Sequence, residues 1–380
     1  MASPLMKLSW RIVTVRGIPI RVHATFLFVV VLGAVEWGMS HGTKGALFGA
    51  LLVCLLFACV ALHELGHSLV AQRFGVSVRE ILLLPIGGVA RLGREPKTAL
   101  HELLIAVAGP LVNVVLAVLL VLGALVVAGP VWVSEGGMMR ALMAPPALPT
   151  LVAVLTAANV ALAVFNMIPA LPMDGGRVLR AVLTFFLGRL RATSIAATVG
   201  QLLSATLAAI GLLSANIILV LIGVFVFMGA AQERTTAKIL ASLAGLSAAD
   251  AVDPHAHRLE PGEMLAGAMQ YALRSSQPHY AVVLGERLVG TLGRDEILAA
   301  VRRQGPMTFV AGVMSRDVDE VAATEPLAEV RTRLIERGGR PLVVRSSDGI
   351  VGLIALEDVA RAAGMADLLH HFAGPRETMR

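Results

Sequence analysis

Six stretches between residues 23 and 231 are apolar over roughly the twenty residues needed to cross a bilayer core: 23–40, 45–72, 99–129, 149–168, 194–212 and 215–231. Lipid offers no hydrogen bonds, so such segments must satisfy their own backbone as helices or closed barrels. These runs are continuous rather than alternating, which selects helices. Over 380 residues the chain is 56% hydrophobic and 15% charged, too apolar for a soluble protein of this size.

Charge divides the chain in two. Residues 1–245 hold 17 Lys/Arg against 8 Asp/Glu, while 246–380 hold 15 against 18. A basic apolar part and a slightly acidic tail are two kinds of domain, and the basic balance fits loops facing an anionic leaflet better than nucleic-acid binding. With the N-terminus inside, segments 1–22, 73–98 and 169–193 hold 13 Lys/Arg, and the outer ones hold two, Lys44 and Arg140. This predicts a multi-pass cell-membrane protein with both termini cytoplasmic. Lys7, Arg11, Arg16 and Arg21 precede an uncleaved first span. Trp10 falls at the inner boundary, Trp37 and Trp132 at the outer one. The stretch Gly176–Thr193, with Arg177, Arg180, Arg189 and Arg191, reads as a helix lying at the interface. Cys54 and Cys59, five apart on different helix faces, read as packing residues.

His63-Glu64-Leu65-Gly66-His67 lies inside the second apolar run. Residues i and i+4 share a helix face, so both histidines can bind one metal, and Glu64 beside them is placed as a base toward water. Two hydrogen-bonded core histidines are the bland alternative. The membrane setting favours the metal, because three ionisable groups on adjacent turns need a compensating partner. A catalytic zinc usually takes three protein ligands. Asp174, in the break Pro169-Ala170-Leu171-Pro172-Met173-Asp174-Gly175-Gly176, lies at the same membrane depth and is the candidate third ligand. An Asp-Gly exit turn is the competing reading. Gly109, Pro110 and Asn113 either bring the third span close to this site or serve ordinary helix packing. Gly45 and Gly49 are a weak dimer-face pattern. Residues 76–92 read as a β-hairpin between the second and third spans.

Taken together, these motifs resemble the site-2 proteases, intramembrane zinc metalloproteases of peptidase family M50, over roughly residues 15–235. The resemblance rests on His63–His67, on Asn166 through Gly176, on Ala108-Gly109-Pro110 with Asn113, and on Pro85 through Arg91. It implies one zinc per chain held by His63, His67 and Asp174. It implies Glu64 as catalytic base and Asn166 as a residue holding substrate or oxyanion. The implied substrates are single-span or membrane-tethered proteins, cut within or near the membrane.

The tail carries an internal repeat, with Gly290 matching Gly352 at a spacing of 62. Each copy has a helix-like stretch, two β-rich strands around a polar turn, and a charged helix start. This resembles a tandem pair of CBS domains, 246–305 and 306–370, following the protease domain 1–235. Such pairs bind adenine nucleotides (ATP, ADP or AMP) or pair with a second copy into a homodimer. The resemblance puts a ribose contact at Asp358, matched by Glu296 in the first copy. Gly293 and Ala355 stand where the family has a hydroxyl, which puts nucleotide binding in question. The expected fold is therefore a polytopic α-helical membrane protein of about six transmembrane helices with a cytoplasmic α/β tandem CBS module. A metal transporter would not need Glu64, and an inactive scaffold would be expected to lose it.

Overall fold

The computed structural model describes residues 8–372 except 86, 94–95, 97, 130–135 and 348. Trp132 lies outside the described residues. The chain divides into two compact units, residues 2–237 and 238–380.

The first unit opens with a β-hairpin, β1 (Ser9–Val15) and β2 (Ile18–His23), where a basic stretch leading into a span was expected. Arg16 and Gly17 both take positive φ (47° and 82°), which turns the chain in two residues. Ile18, Ile20 and Val22 alternate inward, so period two governs here. The helix α1 (Phe26–Arg73) follows, then β3 (Val78–Leu84) and β4 (Gly87–Leu92), the hairpin expected at 76–92. The four strands form one sheet in the order β1-β2-β3-β4, with β2 and β3 parallel. Next come α2 (Ala99–Ala128), the short α3 (Gly137–Leu142), α4 (Leu148–Asn166), α5 (Asp174–Leu187), α6 (Arg189–Leu213) and α7 (Ile217–Ser242), which runs past the unit boundary.

Five described helices are long and apolar enough to cross a membrane: α1, α2, α4, α6 and α7. The expected spans 23–40 and 45–72 are two arms of α1, broken at Gly42 (φ 62°, ψ −150°). Glycines join the arms. A Cβ on Gly49 would strike the Gly33 carbonyl, and one on Gly45 the Trp37 carbonyl. Gly45 and Gly49 therefore serve packing within the chain. The stretch 176–193 becomes α5 and the start of α6. The Arg180 side chain of α5 is buried, with Nη2 2.5 Å from Glu102 Oε1 and Nη1 2.8 Å from Glu233 Oε2. Glu102 lies in the first turn of α2 and Glu233 on α7, so one guanidinium ties three helices.

In the second unit, α8 (Ala248–Ala251), β5 (Arg258–Leu259), α9 (Leu265–Arg274), β6 (His279–Leu284), β7 (Arg287–Gly293) and α10 (Arg294–Gln304) are followed by β8 (Asp319–Ala322), α11 (Leu327–Glu336), β9 (Leu342–Ser346), β10 (Gly349–Ile354) and α12 (Leu356–Phe372). Each half has a three-stranded sheet in which one parallel pair adjoins one antiparallel pair. The two cores repeat in the 62-residue register. Leu259, Leu265, Tyr280, Val282, Leu292 and Ile297 match Val321, Leu327, Leu342, Val344, Ile354 and Val359. The segments that precede each half are exchanged: Ala248 and Val252 sit in the later core, Val310 and Met314 against the earlier one.

Candidate metal centre

His63 and His67 come from the second arm of α1, one turn apart, and both are buried. Asp174 begins α5, where helix N-terminal N–H groups favour a carboxylate. Gly175 and Gly176 let that first turn lie directly under the 167–171 loop, because a Cβ at either would strike its backbone. Asp174 Oδ2 lies 3.2 Å from His63 Nε2 and 3.1 Å from His67 Nε2, and the two Nε2 atoms are 3.1 Å apart. Asp174 Oδ1 turns away to Arg177, 3.4 Å from Nη1.

The outer faces of the rings decide what this triangle can hold. His67 Nδ1 lies 2.6 Å from the Ile105 carbonyl oxygen, an atom that only accepts, so Nδ1 carries the hydrogen. His63 Nδ1 lies 2.5 Å from Asn113 Oδ1 and donates likewise. In neutral rings both Nε2 atoms then point bare lone pairs at each other and at a carboxylate. Such a cluster repels itself unless a cation sits inside it. Zinc bonds of about 2.0–2.1 Å at tetrahedral angles would set ligand atoms about 3.3 Å apart, close to the observed spacing. The three residues fit that ion, with a fourth direction left for water or substrate.

A matching profile of peptidase family M50 covers residues 51–144 and 123–210, and one of the CBS domain covers 310–364. A zinc metalloprotease of Methanocaldococcus jannaschii is 35% identical over 364 residues, 96% of this chain and 98% of that one. The chain belongs to peptidase family M50. Among solved structures, the site-2 protease from Methanocaldococcus jannaschii shares 39% identity over 60% of this chain and 95% of its own, with a TM-score of 0.42. CBSX2 in complex with AMP shares 21% identity over 32% of this chain and 99% of its own, with a TM-score of 0.29.

M50 membership makes this chain a zinc metalloendopeptidase of the site-2 type, with a CBS pair at its C-terminus. The other expected positions are placed as follows. Glu64 is half-buried beside the metal triangle, where the β4 backbone covers it: a Cβ on Gly88 would come within 2.5 Å of Glu64 Cγ. Asn166 closes α4, half-buried, and makes no side-chain hydrogen bond among the described residues. Gly109 abuts the His67 ring and Asn113 bonds His63, so close packing and approach to the site are the same event. Pro110 lies inside α2 and, lacking an N–H, gives no helical donor to the Ala106 carbonyl, next to the Ile105 carbonyl that meets His67. In the C-terminal unit of this M50 peptidase, Asp358 Oδ2 accepts from the Ala355 backbone N–H at 2.8 Å, and its other oxygen pairs with Arg361. Burial pushes the Asp358 carboxyl up from the usual carboxylate range. Glu296 likewise accepts from the Gly293 N–H at 2.8 Å.

Sequence reasoning did not single out Asn159. It is fully buried on α4 and donates to Leu155 O at 2.8 Å and to Cys59 Sγ at 3.3 Å. Its Oδ1 accepts from Asn113 Nδ2 at 2.8 Å. Cys59, read as a packing residue, is thus also an acceptor. An asparagine in the middle of an apolar span was the available signal.

Proposed function

We propose that this chain hydrolyses peptide bonds within or beside transmembrane segments of single-span or membrane-tethered proteins. The observation that carries the reading is the buried His63–His67–Asp174 triangle, whose three free lone pairs need one cation. His63, His67 and Asp174 hold the zinc, one per chain. Bound there, zinc supplies Lewis acidity, which makes water a much stronger acid than in bulk. Glu64 takes a proton from water as it attacks the peptide carbonyl, and returns it to the leaving amine. Asn166, whose side chain makes no hydrogen bond among the described residues, holds the substrate or the oxyanion. The substrate helix must open first, because its peptide groups are engaged internally. Incubating the purified full chain with single-span substrates, with and without a chelator, tests this directly. Cleavage that survives complete zinc removal would refute it.

The protease domain spans about 1–235 and the CBS domains about 246–305 and 306–370. We place both termini in the cytoplasm on the 13-to-2 charge asymmetry. A reporter fused after Arg380 should read as cytoplasmic, and one inserted between residues 134 and 138 as external. We further propose that an adenine nucleotide, contacting Asp358, or pairing of two CBS modules into a homodimer, biases the protease. Either can act only through unequal affinity for two states of the enzyme. Calorimetry of the full chain with ATP, ADP and AMP, paired with cleavage rates, is the assay. Absence of heat from all three, with cleavage indifferent to self-association, would remove the regulatory role.

A further inference from the structure

An asparagine amide can turn over and exchange its oxygen and nitrogen with almost no change of shape. Turned over, Asn113 would present its NH2 group to His63 Nδ1. That ring nitrogen would then have to accept, and its hydrogen would move to Nε2, the atom aimed at Asp174. His63 in that tautomer has no lone pair for a metal. The orientation of Asn113 is therefore part of the site, and something must hold it.

The holding starts at a backbone carbonyl. Leu155 O can only accept, so Nδ2 of Asn159 must face it, 2.8 Å away. Oδ1 of Asn159 must then face Asn113, which meets it with Nδ2 at 2.8 Å. This leaves Asn113 Oδ1 for His63 Nδ1, at 2.5 Å. Both asparagines are completely buried, so water cannot substitute for any link. Each amide has one satisfied orientation, and the direction passes in one sense, from Leu155 through Asn159 and Asn113 to the ring.

We propose that Asn159 is a positioning residue for the metal centre. Acting through Asn113, and without touching a metal ligand, it fixes the His63 tautomer that leaves Nε2 open. The inference rests on the zinc reading above.

The test measures zinc affinity of the full chain in detergent by competition with a chromophoric chelator. Asn113→Leu and Asn159→Leu should each weaken zinc about 10–100-fold, the range for losing a partner that orients a ligand. Because the two act in series, the double variant should be no more than about twofold weaker than Asn113→Leu alone. The visible spectrum of the cobalt-substituted protein should shift in both single variants. In an Asn113→Asp background, a carboxylate accepts from His63 Nδ1 whichever way it turns, so adding Asn159→Leu should not weaken zinc further. Asn159→Ser removes the amide with less bulk and replaces the leucine variant in every comparison if that one does not fold. Zinc affinity within twofold of wild type in the Asn159 variants overturns the proposal, as do losses that multiply in the double variant. So does an undiminished effect in the Asn113→Asp background. A wild-type chain that binds no zinc overturns the zinc reading and this inference together, whereas failure of the Asn159 comparisons alone leaves the zinc reading standing.

Discussion

Gly109 lies against the imidazole of His67 so closely that a Cβ there would overlap Nε2, Cε1 and Cδ2 of the ring. Only the absence of a side chain lets α2 carry Ile105 and Asn113 up to the two histidines. Gly109→Ala should therefore displace His67 and lower zinc affinity at least tenfold, a loss in the range seen when a ligand's support is removed. Gly123→Ala, in the same helix but facing open space, should keep its zinc and gain up to roughly 1 kcal/mol in helix propensity. Elemental analysis of the two purified variants makes the comparison, and equal zinc content would count against the packing argument.

Glu64 and the metal ligands should separate cleanly. Glu64→Gln removes a base and leaves three ligands, so zinc content should match wild type while cleavage falls by about 10²–10⁴ or more. His63→Ala, His67→Ala and Asp174→Ala should lower both together. Gly88→Ala crowds the Glu64 side chain from the β4 side and should depress cleavage with zinc retained. Full proteolysis by Glu64→Gln would mean that another group takes the proton.

Arg180 offers a test of stability rather than chemistry. Its partner Glu102 is 1% exposed, so Arg180→Ala leaves an interior carboxylate with the longer 3.5 Å contact to Arg189 in place of its close ion pair. Breaking a buried pair from one side costs about 3–5 kcal/mol. Combining Arg180→Met with Glu102→Gln removes both charges and should recover most of that loss. Thermal unfolding in detergent, followed for the two variants side by side, reads the difference.

In the C-terminal unit, Asp358 and Glu296 each hold the first turn of a helix by accepting a backbone N–H. Asp358→Ala and Glu296→Ala should each destabilise the unit by about 0.5–2 kcal/mol, with or without nucleotide. Because burial raises the Asp358 carboxyl in the folded state, its contribution is fully present below the unfolded pKa of about 3.9 and fades as pH climbs through the higher folded value. Asp358→Asn keeps an acceptor and should flatten that decline. Denaturant midpoints measured across pH 3.5–7 would show whether the slope disappears.

Much of this was readable from residues alone. The spacing of His63 and His67 named a helix face, and the break at 169–176 supplied Asp174. The Gly290–Gly352 spacing gave a register that two hydrophobic cores obey position by position. What escaped notice did so for physical reasons. The β1–β2 hairpin turns on Arg16 and Gly17 and is short enough to pass for a basic leader. Asn113 stands out beside Gly109 and Pro110, but Asn159 lies alone in its span with no motif around it. The link between the two lies in a three-way contact of α1, α2 and α4 that no local pattern encodes. The two expected spans on either side of Gly42 are present, but that Gly33, Gly45 and Gly49 pack the arms against each other, where the sequence alone reads Gly45 and Gly49 as a dimer face, depends on a contact between the arms.

The exchanged segments of the C-terminal unit set an order on synthesis. The earlier half needs Val310 and Met314, which lie beyond its own last helix, to close its core. Residues 248–252 leave the ribosome before either half, yet their partners run to Val359 and Ala363. Neither half is therefore complete when its own strands have emerged, and a chain stopped near residue 305 would expose two unfinished apolar surfaces instead of one finished domain. Both cores are complete only once the chain through Ala363 has emerged, after the helices of the first unit have been translated.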